Sequence, residues 1–297
     1  MIVKNTDAIS RKKSAQFALE QLAVPEYTFF SKLWELCDDV FAGEDAVKGK
    51  AETYIYRPNS KTGAARQKAW NAYVGRGELP EYASKTLGQM VGTLGSTPSD
   101  IVLDGKAERL KYLKEYCTPY KDGLEALFHR VIEYVIRHGR YCLLLEPDED
   151  GDKFHVNEYK ARKYLRCKIS STETGGETYA SMILLDTSRI DYDLLLWRDV
   201  YYPQITLLGL DSAGRYYQAK FGHSGRGAAI RSGKDGQFRF EDKNVYAEVM
   251  GEVFGQLERF NVLEPDESKC TELLYPTKYG RTLDRIPFVC VNPLNLS

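Results

Sequence analysis

The sequence has few of the residues that build metal centres and disulfide frameworks. Its 297 residues include six cysteines and four histidines. No two cysteines form a CxxC motif, and the histidines show none of the HxH, HxxxH or HExxH spacings of metal sites. We therefore expect no metal site, and cysteines that remain reduced and pack as small apolar groups.

An excess of positive charge and long apolar segments are also missing. The 41 lysines and arginines nearly balance the 42 aspartates and glutamates, so any contact with DNA is expected to be local or loose. Arg11, Lys12 and Lys13 are not followed by a continuous apolar segment, which argues against a signal peptide. No apolar run is long enough to cross a membrane. The composition predicts a soluble, intracellular globular protein.

Motifs of phosphate binding and nucleophilic catalysis are absent from the sequence. There is no GxxxxGKS/T or GxGxxG phosphate loop and no GxSxG nucleophile motif. The acidic cluster at 148–152 has its glycine in the fourth position, whereas a calcium-binding EF-hand loop needs it in the sixth. We therefore assign no catalytic residue and no cofactor. The alternative is an intracellular α+β enzyme with a dispersed site around His138, Arg140 and His155.

Helical patterns dominate the first part of the chain. The expected elements are two helices within 8–45 that are separated near Pro25 and end at Gly43, a loop over 49–67, a helix over 65–95 and a short helix over 105–117. Gly88, Gly92 and Gly95 lie close to one face of the 65–95 helix. This spacing is compatible with close approach of a neighbouring helix or with ordinary packing.

The clearest amphipathic pattern comes next, at the spacing of a helix. Its apolar residues are Leu124, Leu127, Phe128, Val131, Ile132, Val135 and Ile136. Asp122 and Glu125 resemble a capping box, and Gly139 suits the left-handed position just past a helix end. His138 and Arg140 would place positive charge against the C-terminal carbonyl groups. We therefore interpret His138-Gly139-Arg140 mainly as the end of a helix.

After this helix the apolar period changes to two, which predicts strands. They are expected at 141–145, 154–159, 163–169, 178–186, 203–210, 214–220, 237–242 and 286–291. Residues 211–214 predict a hairpin turn, 222–236 a mobile glycine-rich loop, and 244–260 either strand or helix. Because helices precede strands, we predict the α+β class, with a helical region over 1–122 and the long helix plus a mainly antiparallel β region over 123–297.

A basic segment with interleaved tyrosines lies at 159–168. If residues 160–168 form a strand, alternate residues share one face; these are Lys160, Arg162, Tyr164, Arg166 and Lys168. Such a face is compatible with contact to a phosphate backbone, contact to another subunit, or a solvated sheet surface. Lys160, Arg162, Arg166 and Lys168 are our candidates for contact with DNA or a neighbouring subunit.

Four groups of short motifs also stand out along the chain. They are LW (33–34) with FAG (41–43) and YIYRP (54–58); AYVGRG (72–77) with LGQMVG (87–92); VIRHGRYCLLLEP (135–147); and IPFV (286–289) with NPL (292–294). In that order they resemble a family of portal proteins of tailed phages and prophages. The family has an Asp-Pro turn after the strand of the third group, where this chain has Glu146-Pro147.

The resemblance implies a structural, non-enzymatic subunit. Portal proteins form rings, usually of twelve copies, at one capsid vertex, where the packaging terminase docks and double-stranded DNA passes non-specifically through the channel. The implied partners are further copies of the chain, terminase, capsid and head-completion proteins, in the virion or in the host cytoplasm during assembly. The chain would supply mainly the wing-like region, so a truncated subunit without stem, clip and crown is implied. The other alternative is a different virion or adaptor interaction module.

Overall fold

The structure is a computed structural model in which helices precede antiparallel strands. It describes residues 23, 25–57, 63–96, 107–147, 153–171, 177–193, 198–222, 230–232, 238–240, 243–278 and 280–291. The predicted α+β class is confirmed. Among the helices described, none combines the length and the apolar character that crossing a membrane requires.

The helices before the first strand mostly follow the predicted pattern. They are α1 (Pro25–Ala42), α2 (Glu44–Gly49), α3 (Ala51–Tyr54), α4 (Gly63–Arg76), α5 (Tyr82–Gly95), a 3-10 helix (Ala107–Lys114) and α6 (Leu124–His138). The loop predicted over 49–67 is wrong in part, because α3 and the start of α4 are helical. Lys50 Nζ lies 2.7 Å from carboxylate oxygens of both Glu35 and Asp39, so ion pairs with α1 help to order this polar segment. The helix predicted before Pro25 lies almost entirely outside the described residues.

The single helix predicted over 65–95 is in fact two helices, α4 and α5. The backbone N–H of Gly77 donates to the carbonyl of Tyr73 at 3.2 Å and closes the last turn of α4. Pro80 follows, and it has no N–H to continue a helix. The break therefore has a local cause that the apolar periodicity alone does not reveal.

The three glycines near one face of α5 have different surroundings. A Cβ atom at Gly95 would collide with the imidazole ring of His129 on α6, whereas Gly88 and Gly92 face open space. Close approach of a neighbouring helix therefore applies to Gly95 only.

Helix α6 ends as predicted, but its start is held differently from the prediction. Gly139 has a φ of 74° in the left-handed region, and its N–H donates to the carbonyl of Val135. At the start, the capping box is wrong, because Gly123 is the N-cap residue and no side chain caps the helix. The carboxylate of Asp122 instead pairs with Arg130 at 2.7 Å.

Arg140 does not place its charge against the end of α6, so that expectation is wrong. Its side chain is buried, with only 1% exposed. The guanidinium donates to the carbonyl oxygens of Ala161 at 2.8 Å and Tyr164 at 3.1 Å. Tertiary packing draws it away from the helix because both carbonyls lie in the protein interior.

The second half of the chain forms antiparallel sheets. The strands are β1 (Tyr141–Pro147), β2 (Phe154–Lys160), β3 (Tyr164–Ser171), β4 (Glu177–Asp193), β5 (Arg198–Leu210), β6 (Tyr216–Gly222), β7 (Ile230–Ser232), β8 (Phe238–Phe240), β9 (Glu272–Leu274), β10 (Thr277–Lys278), β11 (Arg281–Thr282) and β12 (Phe288–Val291). One sheet has the order β12-β1-β2 and a larger one β3-β4-β5-β6-β9, while β7–β8 and β10–β11 form two-stranded ribbons.

The structure also decides three predictions for single segments of this half. The ambiguous segment 244–260 is helix α7 (Lys243–Arg259). The hairpin turn is confirmed, with Asp211 accepting the N–H groups of Ala213 and Arg215 at 2.9 Å and Gly214 at a φ of 73°. The predicted loop 222–236 contains strand β7, and most of its other residues lie outside the described part of the chain. Residues 148–152, the acidic cluster, also lie outside it.

The five-stranded sheet lies between two layers. One face packs on the three-stranded sheet, and the cluster there includes Leu184, Leu208, Tyr216, Cys142, Leu144 and Phe288. The opposite face packs on α7, through a cluster that includes Ile205, Leu207, Phe221, Met250, Val253 and Phe254. Tyr27 and Trp34 of α1 cover Leu165 on that same face. Burial of each such large apolar side chain contributes roughly 1.5–3 kcal/mol, so these clusters hold the layers together.

Candidate functional site

The four candidate basic residues do not share one strand face. Lys160 ends β2, Arg162 lies in a 3-10 turn (Ala161–Lys163), and Arg166 and Lys168 lie in β3. Tyr164, predicted on the same face, is buried between the sheets. The continuous basic face is therefore wrong, because the turn at 161–163 interrupts the strand.

Lys160 and Arg162 each make one contact that joins a helix to the β region. The ammonium of Lys160 lies 4.6 Å from the ring centroid of Tyr134. The main-chain carbonyl of Arg162 accepts the hydroxyl of Tyr27 at 2.7 Å, which ties the turn to α1. These contacts join α1 and α6 to the β region, and the exposed Lys160 and the partly exposed Arg162 stay candidates for contact with DNA or a neighbouring subunit.

Arg166 and Lys168 are exposed and lie together beside a groove. A register shift between Tyr164 and Arg166 sets Arg166 opposite Ile183 and Lys168 opposite Ser181. Continued without the shift, the pairing of Tyr164 with Leu184 would set Arg166 opposite Met182, which is buried between the sheets. Because a one-residue shift exchanges the faces of a strand, this bulge presents both cations on the α7 side.

The groove has a volume of about 750 Å³ and lies between the β3–β4 edge of the large sheet and the C-terminal end of α7. Its mainly apolar lining includes Ile183, Leu207, Phe254, Leu257, Phe260 and Val262. Arg166, Lys168 and Glu258 are its charged residues. An apolar floor with two cations and one carboxylate suits an amphipathic protein segment that carries a negative charge.

The groove lies beside an edge strand, since among the strands that the structure describes only β4 pairs with β3. Charged side chains, especially lysine, are a common means of keeping an edge strand from uncontrolled pairing. Arg166 and Lys168 are therefore expected to prevent non-specific strand pairing at this edge while leaving the groove open to a complementary partner. The signal missed in the sequence was α7, which supplies one wall and whose pattern was compatible with strand or helix.

A second cavity, of about 540 Å³, is lined by charges that satisfy one another. Arg130 makes a bidentate contact with Glu158, with its shortest N–O distance 2.8 Å, and also pairs with Asp122. Tyr141 donates its hydroxyl to Glu158 at 2.5 Å. Burial, and then this carboxylate, hold the pKa of Tyr141 far above its ordinary value, so the phenol stays protonated. This cavity contains a closed ion-pair network, which is typical of a structural site.

The residues of the alternative dispersed enzyme site are not brought together. His138 Nε2 lies 3.0 Å from Asp38 on α1, and Arg140 is directed to the carbonyls of Ala161 and Tyr164. His155 is the register partner of Glu146, five residues along β1 from Tyr141, which corresponds to about 17 Å of strand. His155 is therefore at the other end of the hairpin from Arg140.

In the described segments, no group of three or more His, Cys, Asp or Glu side chains is arranged to hold a metal ion. All six cysteines are free thiols. No protein-family model matches the chain, and a comparison with curated proteins finds no match either. The groove beside β3 is therefore the candidate functional surface.

Proposed function

We propose that this chain is a structural, non-enzymatic subunit of a portal-type ring, to which it contributes the wing-like α+β region. In this proposal the ring docks the packaging terminase and contacts capsid and head-completion proteins. Double-stranded DNA passes through without specific contacts. The observation that carries the proposal is that three of the four separated motif groups of the resemblance lie against one another in the fold.

The first and third motif groups meet at Trp34. Its indole Nε1–H donates to the carbonyl of His138 at 2.9 Å. The guanidinium of Arg140 lies over the same ring, 4.8 Å from the centroid. The Leu33-Trp34 motif and the His138-Gly139-Arg140 motif therefore form one junction between α1, α6 and β1.

The third and fourth motif groups form one sheet. Strand β12, from the Ile286-Pro287-Phe288-Val289 motif, pairs with β1, and Leu145 N–H donates to the carbonyl of Pro287 at 2.9 Å. Motifs that are distant in sequence and joined in space are the framework of a domain. This arrangement supports assigning the first, third and fourth groups to one structural unit.

A ring of identical subunits needs two different complementary surfaces on each copy. The groove beside β3 is one candidate. The other is an apolar stripe on the outside of α1, formed by Phe29, Leu33 and Leu36, with Phe29 71% exposed. Glu26 is exposed on the same helical face, because positions 26, 29, 33 and 36 are three or four residues apart. The stripe thus matches the groove in both apolar character and charge.

We infer that the α1 stripe of one copy docks in the β3 groove of the next. Such a contact is heterologous, and it closes a ring when each copy is rotated by the same angle relative to the last. The near-neutral net charge of −1 is compatible with a conduit from which DNA must be released.

The experiment uses protein expressed from the complete gene, examined by analytical ultracentrifugation and negative-stain electron microscopy. The groove variant is Arg166→Glu with Lys168→Glu, and the stripe variant is Phe29→Glu with Leu33→Glu. Each is expected to be monomeric while the wild type forms rings. A mixture of the two should form heterodimers only, because each such pair has one intact groove facing one intact stripe.

The matched control reverses two exposed charges elsewhere, Arg281→Glu with Arg285→Glu, and is expected to leave ring formation unchanged. Wild-type protein that stays monomeric at high concentration contradicts the ring. Phage heads that fill normally without this protein contradict the portal role. Rings that persist in the groove and stripe variants place the subunit contact elsewhere.

A further inference from the structure

Two of the six cysteines face each other across the β1–β12 pair. Cys142 is the register partner of Cys290, although 148 residues separate them. Leu145 and Pro287 form a hydrogen-bonded pair, so by alternation Cys142 and Cys290 form a non-hydrogen-bonded pair. Cα atoms at such a pair are about 4.5 Å apart, within the range that a disulfide spans.

The two sulfur atoms are in contact but differ in their surroundings. The thiol of Cys142 donates to the sulfur of Cys290 at 3.2 Å. Cys142 is fully buried, whereas Cys290 is half-buried on β12, the edge strand of its sheet. Cys290 is therefore the sulfur nearer to solvent, with Cys142 behind it.

The electrostatics of the pair agree with this order. The hydrogen bond from Cys142 lowers the pKa of Cys290 below its ordinary value, against the effect of burial, and the positive charge of Arg140 lowers it further. The same hydrogen bond, followed by burial, raises the pKa of Cys142. Because thiolates are the reactive form, Cys290 is the nucleophile of the pair.

We propose that Cys142 and Cys290 are a dithiol site that reacts with low-molecular-weight disulfides and closes into a cross-strand disulfide. The Cys290 thiolate attacks one sulfur of the reagent RSSR, forming a mixed disulfide and releasing RS⁻. Cys142 loses its proton to solvent and attacks the Cys290 sulfur, which forms the Cys142–Cys290 bond and releases a second RS⁻. Two protein thiols are oxidised by two electrons, and one reagent disulfide is reduced to two thiols.

The cross-link would tie β12 to the strand that follows α6. It would close a loop containing almost the whole β region, which restricts the unfolded chain more than the folded one. The oxidised protein is therefore expected to melt at least about 5 °C higher than the reduced protein. This proposal is independent of the proposed ring, because it concerns a bond within one chain.

Cys167 is the competing partner. It packs against the same cluster, but it lies on β3 of the other sheet, where its register partner is Met182. Cys37, Cys117 and Cys270 lie in other parts of the fold. The geometry therefore predicts one product among the fifteen pairings that six cysteines allow.

The test equilibrates the full chain with mixtures of reduced and oxidised glutathione, quenches with acid, and alkylates the remaining thiols. Non-reducing peptide mapping by mass spectrometry should find the peptides of Cys142 and Cys290 linked, with the other four cysteines alkylated. Cys290→Ser should abolish the linked peptide, and Cys142→Ala should leave a glutathione adduct on Cys290. Cys270→Ser is the matched control and should retain the link.

Three outcomes would overturn the proposal. The first is alkylation of all six cysteines after incubation with excess oxidised glutathione. The second is a dominant link from Cys167 to either partner. The third is an oxidised wild-type protein that melts below the reduced form, which would show that the folded state resists the bond. All three are read on wild-type protein, so they hold even if a variant fails to fold.

Discussion

The guanidinium of Arg140 lies over the indole ring of Trp34, with its central carbon 4.8 Å from the ring centroid. The same carbon lies 4.6 Å from the ring centroid of Tyr164, and the guanidinium N–H groups donate to two main-chain carbonyls. A planar cation between two aromatic rings is an arrangement that arginine forms and lysine reproduces poorly. This junction joins the helical region to the β region.

Replacing Arg140 with methionine is expected to lower the free energy of unfolding by about 3 kcal/mol, because the carbonyls of Ala161 and Tyr164 lose their buried donor. Urea denaturation followed by circular dichroism measures the change. Arg140→Lys should also destabilise, since one ammonium does not replace a planar fork. The control Arg285→Met alters an exposed side chain and should change stability by less than about 0.5 kcal/mol. Equal effects of both methionine variants would refute the structural role of Arg140.

Gly139→Ala is expected to destabilise the protein by about 1–2 kcal/mol, because its φ of 74° is unfavourable for a residue with a Cβ atom. Gly88→Ala is the matched control. Gly88 lies inside α5, where an added Cβ atom would face open space, so alanine there should stabilise by up to about 1 kcal/mol. Melting temperatures that move in the same direction for both variants would contradict this account.

Gly95→Ala should destabilise by about 1–3 kcal/mol, because the added methyl group meets the ring of His129 on α6. The double variant Gly95→Ala with His129→Ala removes the collision. It is expected to be more stable than the sum of the two single changes predicts, which a double-mutant cycle measures. Simple additivity would mean that α5 and α6 are not in close contact at this point.

Stability should fall in acid through Asp38. Burial raises the pKa of this carboxyl, but the hydrogen bond from His138 and the charges of His138 and Arg137 outweigh it, so the pKa lies below its ordinary value of 3.8. A lowered folded-state pKa stabilises the fold above the unfolded-state pKa, and this contribution disappears as pH falls through the folded-state value.

The measurement is the free energy of unfolding of wild type and Asp38→Asn between pH 6 and pH 3. The wild type is expected to be the more stable at pH 6, and the difference should shrink below about pH 4. Asp284→Asn, at an exposed site, is the control and should show no such pH-dependent difference. If the difference in free energy of unfolding between wild type and Asp38→Asn stays constant from pH 6 to pH 3, the pKa of Asp38 is not lowered in the folded state.

The proposed ring contact leads to a prediction about salt. If Arg166 and Lys168 attract Glu26 of the next copy, assembly should weaken as ionic strength rises. Salt screens the attraction between exposed charges, and the screening length is about 10 Å at 0.1 M salt and shorter at higher salt. Sedimentation at increasing salt measures this. The variant Glu26→Gln should assemble less well at low salt and show a smaller salt dependence than the wild type. Assembly that strengthens with salt would indicate a contact held by apolar burial alone.

The sequence by itself determined the elements whose causes are local. The period of apolar residues over 124–136 and the glycine at 139 predicted α6 and its end, and alternation with turn residues predicted the strands. Helices before strands then indicated the α+β class. The break at Pro80 was also present in the sequence, but it was hidden by apolar residues on both sides. Each of these features depends on residues within a few positions of one another.

Only the tertiary structure decided where distant residues meet. The bulge that turns Arg166 toward the groove, the pairing of Cys142 with Cys290, and the place of Arg140 between Trp34 and Tyr164 have no local signature. Each follows from which surfaces pack and which register the strands adopt. One step in register exchanges the two faces of a strand, and a long side chain such as arginine reaches carbonyls on another element. For that reason the sequence revealed the basic segment, but only the fold determined which side of the sheet Arg166 and Lys168 face.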